Sequence, residues 1–348
     1  MNVTINGMSD FRKVLDIVKA GDSVSPRGIA TIDQSPLFIT ILNPRDRLVP
    51  IVARKANFAF AFTEWLMIMT GDDSVERLAA YSKEIRKFSS DGVTINGAYG
   101  PRVFPQLDHV ERKLRDDRNT RQAVISILKA GDTLNVDPPC TVSVQFRING
   151  SKLDAITTMR SNDVMWGFTY DVFYWTMLQE WLALRLGVAV GAYYHNVGSM
   201  HLYSKRDEAM VAAINDEPYG VSLPMRPMDG KVADGLLWRL STIESNLRIF
   251  GPLAAWDDIN QLTPYWRDWG LVLFLWHARK NRELRTWFTY AAQQCFTDTT
   301  LRDSYLLNWI PKRAPSFTFT FTPMPVTASA PRNGSWNAPR PLVSRPLR

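Results

Sequence analysis

The chain has 348 residues, of which 45% are hydrophobic and 22% are charged, as is ordinary for a soluble globular protein with one large domain or one domain and an added subdomain. Its two cysteines, Cys140 and Cys295, are too few for a disulfide framework and suit a reducing cytoplasm. No stretch approaches the roughly 20 uncharged apolar residues that a membrane span needs. The Lys and Arg residues behind the net charge of +7 are scattered, which favours a phosphate-holding site with a basic tail over a nucleic-acid-binding surface.

The first part of the chain predicts two helices around an extended region. Residues 9 to 20 have helical spacing, with Ser9 or Asp10 as the N-cap. Residues 31 to 52 are interpreted as two extended segments around a turn at residues 43 to 46. Residues 58 to 70 are predicted to form a strongly apolar helix that ends at a glycine.

The middle of the chain predicts strands that surround a buried helix. The predicted strands cover residues 122 to 128, 140 to 148 and 153 to 160. Asn149-Gly150 is a hairpin signal between the last two. Apolar and polar residues alternate from Val142 to Arg147, which predicts a sheet with one apolar face. Residues 171 to 186 are nearly all apolar and predict the central helix, and residues 188 to 203 return to extended structure.

The character of the sequence changes beyond Pro227. Residues 236 to 250 and 269 to 292 are predicted to be helical and are rich in Trp. The last segment has many Pro, Ser, Thr and Asn residues, several Arg residues and little periodicity, which is typical of a tail. The predicted organisation is a first domain at residues 1–227, a helical extension packed on it at 228–310, and the tail at 311–348.

The chemistry-bearing residues cluster between Asp137 and Tyr203. They are a thiol behind two prolines, an Arg-Ser-x-Asp group and a His-x-Tyr pair, namely Cys140, Arg160, Ser161, Asp163, His201 and Tyr203. In this order they resemble the nucleotide site of the thymidylate synthase family, and the resemblance covers roughly residues 11 to 224. It implies the thymidylate synthase α/β (α+β) fold, with a large mixed sheet at a homodimer interface. Residues 1–227 would then be the catalytic domain.

One position departs from the synthase pattern. Thymidylate synthases carry an Asn that reads uracil in a Gly-x-Pro-Phe-Asn run, and this chain has Asp171 in the run that begins at Gly167. Asp here resembles the deoxycytidylate hydroxymethylase branch of the family. A carboxylate can accept from cytosine N4 and share a proton with N3, whereas an amide complements uracil. The alternative is that Asp171 caps the helix that follows it.

The resemblance also implies catalytic roles. The resemblance makes Cys140 the nucleophile that adds to C6, and the two prolines before it would present its thiol at a strand start; an isolated Cys is otherwise most often a small buried residue. We expect nearby cations to lower its pKa. Glu64 resembles the glutamate that relays protons near C4 and C5, although it could also be an exposed helix position. Tyr99 matches the tyrosine that is linked to removal of the C5 proton.

Binding roles follow in the same way. The phosphate set would be Arg160 with Ser161, then Arg27, and Arg121 reaching in from the partner subunit, although each single Arg could be a surface charge. The family has a second arginine beside the one matched by Arg121, and this chain has a glutamine there. His201 and Tyr203 match the pair that grips the sugar 3′-hydroxyl, and they share one face of a strand.

Asp163 matches the carboxylate that holds the pterin of the folate cofactor, 5,10-methylenetetrahydrofolate. His109 and His195 match nothing in the family and are interpreted as ordinary residues, Cys295 is interpreted as structural, and the residue spacing predicts no metal site. We expect a nucleotide substrate, a homodimer, no membrane or nucleic-acid partner, and a cytoplasmic location, in the host if a phage encodes the chain.

The resulting hypothesis is a (deoxy)cytidylate 5-hydroxymethylase in which water quenches the exocyclic methylene. Between Tyr81 and Gly97 the chain lacks the tryptophans that shield this intermediate in synthases, and Ile85 and Phe88 stand near their place. Deoxycytidylate is favoured over CMP because Ser161 is retained. The alternatives are a C5-methylating enzyme acting on dUMP or dCMP, and a catalytically silent nucleotide- or RNA-binding homologue.

Overall fold

The structure, a computed structural model, describes residues 1–134, 137–217, 224–229, 235–279 and 295–303. In these ranges the chain forms ten strands: β1 (Asn2–Ile5), β2 (Asp22–Val24), β3 (Thr31–Gln34), β4 (Leu37–Ile41), β5 (Val124–Ser126), β6 (Thr141–Asn149), β7 (Lys152–Met159), β8 (Asn162–Asp163), β9 (Ala189–Val197) and β10 (Met200–Tyr203). The helices are α1 (Phe11–Lys19), α2 (Phe58–Thr70), α3 (Val75–Ala79), α4 (Gly100–Val103), α5 (Leu107–Asp116), α6 (Gly167–Leu186), α7 (Ser204–Asp216), α8 (Leu236–Phe250), α9 (Trp256–Asn260) and α10 (Pro264–Ala278). The predicted tail at 311–348 and residues 280–292 of the last predicted helix lie outside the described residues.

The core is built on a large mixed sheet. Its six strands follow the order β1-β4-β9-β7-β6-β5. The β1–β4 and β7–β9 pairs are parallel, and the other neighbours are antiparallel. A second sheet has the order β2-β3-β10-β8. Its strands β8 and β10 contain the predicted site residues Asp163, His201 and Tyr203. The large mixed sheet with many helices confirms the predicted fold class.

Helix α6 is the central helix, as predicted. It is buried almost all round because its sequence is apolar on every face, and Trp175 and Leu178 have no exposed surface. It ends at Gly187, which has a φ of 68° that favours glycine. It begins four residues before the predicted start, so Asp171 lies inside the helix. None of the helices in the described ranges is long and apolar enough to cross a membrane.

The Trp-rich helices that follow residue 235 pack on α2. The rings of Phe62 and Trp269 stack with centroids 4.6 Å apart and planes 5° from parallel, and Trp65 stacks on Trp266 at 5.8 Å. These contacts explain why α2 is apolar on every side, since α6 also packs against it. The predicted helix at 236–250 is confirmed with both its bounds, and α10 begins at Pro264, five residues earlier than predicted.

The predicted position of the turn within residues 31 to 52 is wrong. The two strands β3 and β4 are separated by residues 35 and 36, where the Ser35-Pro36 peptide is cis, and no strand follows the turn at 43–46. The chain enters the core there instead. Leu48 and Val49 are both buried, and the guanidinium of Arg47 is buried against Glu180 of α6 with 2.5 Å between Nη2 and Oε2. Consecutive buried residues cannot belong to a half-exposed strand.

Candidate active site

Three separate segments of the chain meet at the site. Strand β8 pairs in parallel with β10, which places Asn162 beside Met200 and Asp163 beside His201. The backbone N–H of Arg160 donates to the carbonyl oxygen of Cys140 at 2.9 Å. The cysteine, the Arg-Ser-x-Asp group and the His-x-Tyr pair are therefore brought together, as the sequence predicts.

Arg160 lies against Cys140. Its Nη2 is 3.6 Å from the cysteine Sγ, and its Nε and Nη2 donate to the carbonyl oxygens of Pro139 and Pro138 at 3.0 and 2.7 Å. The two prolines thus orient the guanidinium as well as preceding the thiol. The expectation of a lowered thiol pKa is wrong for this state: burial raises the pKa of Cys140 to about 11, because the opposing charge of Arg160 is outweighed by burial together with the carboxylates of Asp171, Asp137 and Asp163.

Asp171 is 5% exposed, and both of its carboxylate oxygens have partners. Asn162 Nδ2 donates to Oδ2 at 2.6 Å, and the hydroxyl of Tyr174 donates to Oδ1. Burial raises the pKa of Asp171 to about 7, although the bonds from Tyr174 and Asn162 act to lower it. Trp166 occupies the N-cap position of α6, so the alternative interpretation of Asp171 as a helix cap is wrong.

A buried histidine stands behind this carboxylate. His195 Nε2 is 2.9 Å from Asn162 Oδ1, and its Nδ1 is 2.9 Å from the hydroxyl of Tyr193. Burial lowers the pKa of His195 to about 3, so the imidazole is neutral. The sequence pattern alone does not distinguish His195 from an ordinary histidine. The signal that could have found it is its place on the inward face of β9, where a polar side chain requires partners.

Glu64 and Tyr99 lie within electrostatic reach of Asp171. Burial, together with the negative charge of Asp171, raises the pKa of Glu64 to about 8. Burial also raises the pKa of Tyr99 well above its ordinary value, and the charges of Asp171 and Cys140 add to this effect. The Tyr99 oxygen accepts from the backbone N–H and hydroxyl of Thr141 at 3.3 and 3.0 Å. Asp171 therefore interacts electrostatically with each of the other three groups that have predicted catalytic roles, Cys140 included.

The predicted sugar pair and the serine are neighbours. Ser161 Oγ is 3.5 Å from His201 Nδ1, and the rings of His201 and Tyr203 meet edge to face at 5.1 Å. Arg27 is exposed and has a φ of 53°, which is uncommon for a residue with a side chain. Its charge acts with that of Arg160 to lower the pKa of Asp137, although burial raises that pKa overall, so Arg27 lies near the segment that leads to the thiol.

Arg121 is placed differently. It is exposed, and its carbonyl oxygen accepts from Gln145 Nε2 at 3.0 Å. Within the described part of the chain, its guanidinium makes no hydrogen bond or ion pair with the other predicted phosphate residues.

Asp163 is already engaged. Its Oδ1 accepts from the backbone N–H groups of Met165 and Trp166 at 2.8 and 3.1 Å, and its Oδ2 forms an ion pair with Arg206 Nη2 at 2.5 Å. The Arg206 guanidinium also lies 4.1 Å from the centre of the Tyr203 ring. No feature of the sequence singled out Arg206. A ligand that takes Oδ2 must displace Arg206 or share the oxygen with it.

A second unpredicted cation lies close by. The guanidinium of Arg54 is fully buried, and its three nitrogens have no hydrogen-bond partner among the residues that the structure describes. It lies 4.9 Å from the ring centre of Trp166 and 5.5 Å from that of Tyr170. Trp166 itself is 42% exposed. A buried cation without a partner is costly, so this place suits an anionic group.

Comparison with known proteins identifies relatives. A family model described as thymidylate synthase matches residues 13–236. The chain is 32% identical over 244 residues to the deoxyuridylate hydroxymethyltransferase of Bacillus phage SP01, covering 63% of this chain and 64% of that protein. It is 31% identical over 180 residues to the protein of the same name from Pseudomonas phage M6, with 49% and 51% covered. A putative thymidylate synthase of Methanocaldococcus jannaschii is 32% identical over 115 residues, with 31% and 52% covered. The chain thus spans between about half and just under two thirds of the length of these relatives.

Proposed function

This chain belongs to the thymidylate synthase family, and from that premise we propose that it is a folate-dependent hydroxymethyltransferase that converts deoxycytidylate to 5-hydroxymethyl-dCMP. The observation that carries the proposal is the buried carboxyl of Asp171, which lies within electrostatic reach of Cys140, Glu64 and Tyr99. A carboxyl group in this place can read the base that the thiol attacks.

The chemistry of Asp171 matches the edge of cytosine. The N4 amino group donates a hydrogen bond and N3 accepts one, so a carboxyl that carries one proton satisfies both. With the pKa of Asp171 raised to about 7, that proton is present in a large share of molecules near neutral pH. Sharing the proton with N3 makes C6 more electrophilic toward the Cys140 thiolate.

Substrate binding also helps to form the thiolate. The pKa of Cys140 is raised to about 11 by burial and by three carboxylates, of which Asp171 has the largest effect. When Asp171 holds a proton between itself and the base, its negative charge no longer opposes that of the thiolate. The guanidinium of Arg160, 3.6 Å from Sγ, then acts with less opposition.

Glu64 and Tyr99 handle protons at C5. Glu64 is protonated at neutral pH because its pKa is about 8, so it is able to give a proton as well as to take one. Tyr99 keeps its own proton, since its pKa is raised well above the usual value. We therefore assign Tyr99 the role of orienting the group that removes the C5 proton, rather than of accepting that proton itself.

The residues present fit a folate. Asp163 offers Oδ2 to the pterin ring when Arg206 is displaced or shares that oxygen. The buried cation of Arg54 offers a partner to one of the carboxylates that a folate carries. Trp166, partly exposed between them, offers an aromatic face. When bound, 5,10-methylenetetrahydrofolate would supply a one-carbon unit at the oxidation level of formaldehyde.

Two observations support a hydroxymethyl rather than a methyl product. Phe88 is 43% exposed, and the segment from Tyr81 to Gly97 contains no tryptophan that would exclude water. The phage relatives are named hydroxymethyltransferases. The phosphate would be held by Arg160 and Ser161 with Arg27, and the sugar by His201 and Tyr203.

Deoxyuridylate is the second candidate substrate. It is favoured by the names of the phage relatives, which specify deoxyuridylate. The structure is compatible with it, because a protonated Asp171 offers one donor and one acceptor, as an amide does. Asp171 would then read uracil in its neutral form.

Product analysis tests the proposal. The protein is incubated with methylenetetrahydrofolate and dCMP, CMP or dUMP, and the products are resolved by mass spectrometry. We expect hydroxymethyl-dCMP as the main product. Cys140→Ala should give no product and should bind dCMP within about tenfold of wild type, about 1.4 kcal/mol. Cys295→Ala is the matched control and should retain activity. A wild-type protein without product, or a Cys140→Ala variant that keeps more than a small residue of activity, would contradict the proposal.

A further inference from the structure

The polar network behind Asp171 consists of Asn162, His195 and Tyr193. We propose that Asn162 and His195 are positioning residues that hold one oxygen of Asp171 as a fixed hydrogen-bond acceptor and thereby set the preference for cytosine over uracil. The inference rests on the proposed function, because it concerns the residue that reads the base.

The hydrogen bonds allow one assignment of the Asn162 amide when Asp171 is ionised. A carboxylate only accepts, so the group 2.6 Å from Asp171 Oδ2 must be the NH₂ of Asn162. The amide oxygen then faces His195 Nε2 at 2.9 Å and requires a proton there. A neutral imidazole has one N–H, so Nδ1 accepts from the hydroxyl of Tyr193 at 2.9 Å. Each donor in this hydrogen-bond network therefore faces an acceptor.

Burial makes this arrangement rigid. Asn162 is 2% exposed and His195 is fully buried, so water cannot replace either bond without opening the core. Gly167 provides the room that the amide needs. A Cβ at Gly167 would lie 2.6 Å from Asn162 Nδ2, which is too close for either atom to stay. The backbone at Gly167, together with strands β8 and β9, thus directs the Asn162 amide at Asp171 Oδ2.

The two oxygens of Asp171 are consequently unequal. Oδ2 faces an NH₂ group, which can donate but cannot accept, so this oxygen is held as an acceptor. Oδ1 faces the hydroxyl of Tyr174, which is able to donate or to accept and so tolerates a proton there. In the proposed pose Oδ2 accepts from N4 and Oδ1 shares a proton with N3, which is the order that cytosine needs. Uracil needs the donor and acceptor in the opposite order, so a fixed asymmetry discriminates between the two bases.

Variants of the network test the inference through selectivity. Asn162→Leu removes the donor, and His195→Phe removes the group that orients it. We expect each substitution to weaken the preference for dCMP over dUMP by about tenfold, equivalent to about 1.4 kcal/mol. The preference is measured as the ratio of the two kcat/KM values and as the ratio of the two binding affinities. His195→Gln should keep most of the wild-type ratio, because its amide N–H can still donate to Asn162. If Asn162→Leu does not fold, Gly167→Ala displaces the same amide and should shift the ratio in the same direction.

The matched control is Gln179→Leu. Gln179 is a buried amide on α6, the helix that carries Asp171. Its Nε2 donates to the carbonyl oxygens of Leu153 and Ala192 at 2.9 and 3.0 Å. Its loss should reduce stability and leave the ratio unchanged. An unchanged ratio in the Asn162 and His195 variants, with hydroxymethyl-dCMP still formed by the wild type, would overturn this inference alone. A wild type that binds neither nucleotide, or prefers dUMP, would overturn the proposed substrate and the inference with it.

Discussion

Two carboxyl groups of the site, Glu64 and Asp171, hold protons at pH values where exposed carboxyl groups have lost them. Burial raises their pKa values to about 8 and about 7. In the unfolded chain both groups titrate near pH 4. They therefore contribute no destabilisation below about pH 4, and the fold loses stability as the pH rises through the range between the unfolded and folded pKa values.

This sign predicts a pH effect that a single substitution reduces. Glu64→Gln removes one of the two groups, so the fall in the free energy of unfolding between about pH 5 and about pH 9 should be smaller than in wild type. Urea denaturation at the two pH values measures the difference. Glu208→Gln, on the exposed face of α7, is the control and should follow wild type. The same pH dependence in Glu64→Gln and wild type would show that the Glu64 carboxyl titrates like an exposed one.

The sequence pattern predicts the site residues that belong to compact motifs. Arg160, Ser161 and Asp163 lie together because they are adjacent in the chain, and Cys140 joins them because β6 and β7 form the predicted hairpin. The link from Asn162 to His195 could not be predicted, since it depends on the order of strands in two sheets. The raised thiol pKa was missed for a related reason. Charges near Cys140 can be read from motifs, but burial cannot.

At the scale of elements, a buried ion-pair network joins α8 to α3. Glu244 has no exposed surface, and its carboxylate accepts from Arg77 Nε at 2.8 Å, from Arg248 Nε at 3.1 Å and from the Tyr81 hydroxyl at 3.1 Å. The carbonyl oxygen of Tyr81 accepts from Asn57 Nδ2 at 3.0 Å, and Asn57 is the N-cap of α2, which carries Glu64. The helices after residue 235 thus support the helix that presents a site residue.

Removing the buried carboxylate of Glu244 should therefore lower the free energy of unfolding. Glu244→Ala leaves the buried guanidinium of Arg77 without one partner, and such a change costs about 3–5 kcal/mol. Glu208→Ala, an exposed glutamate, should stay within about 0.5 kcal/mol of wild type. Urea denaturation compares the two variants. A loss below about 1 kcal/mol in Glu244→Ala would contradict the view that this network stabilises the packing of α8.

The elements differ in how far the sequence predicts them. Helix α2 has the predicted bounds because Asn57 caps its start and Gly71, with a φ of 75°, ends it. The start of α6 was misplaced because Trp166 occupies the N-cap and forms no capping bond that a sequence pattern would reveal. The apolar sequence of α2 predicts burial but not its partner. Only the structure identifies the aromatic stacking of Phe62 on Trp269.

At the scale of the whole molecule, the large sheet has a face with little cover. Along β4 the side chains of Leu37, Ile39 and Ile41 are buried, whereas Phe38 is 42% exposed, and Leu42, just beyond the strand, is 58% exposed. These outward side chains are therefore only partly covered. Arg121 is exposed just before β5, at the edge of the same sheet. We propose that a second copy of the chain covers this face and receives Arg121 in its site.

Subunit mixing tests the shared site. An inactive Arg121 variant and an inactive Cys140 variant are combined under conditions in which subunits exchange. Each heterodimer then contains one site that is free of both substitutions. Activity should return and approach about a quarter of wild type at equal amounts, if the sites are independent. No recovery despite demonstrated exchange would place the phosphate arginines within one chain.

The measurement that tests the central claim most directly is the selectivity of Asp171→Asn. An amide at this position restores the donor and acceptor that uracil needs and removes the proton that cytosine N3 shares. The ratio of kcat/KM for dCMP to that for dUMP is measured for wild type and for the variant. We predict a wild-type ratio above one and a shift of the variant toward dUMP by about tenfold or more, at least 1.4 kcal/mol. An unchanged ratio would contradict the account, because Asp171 would then not read the base.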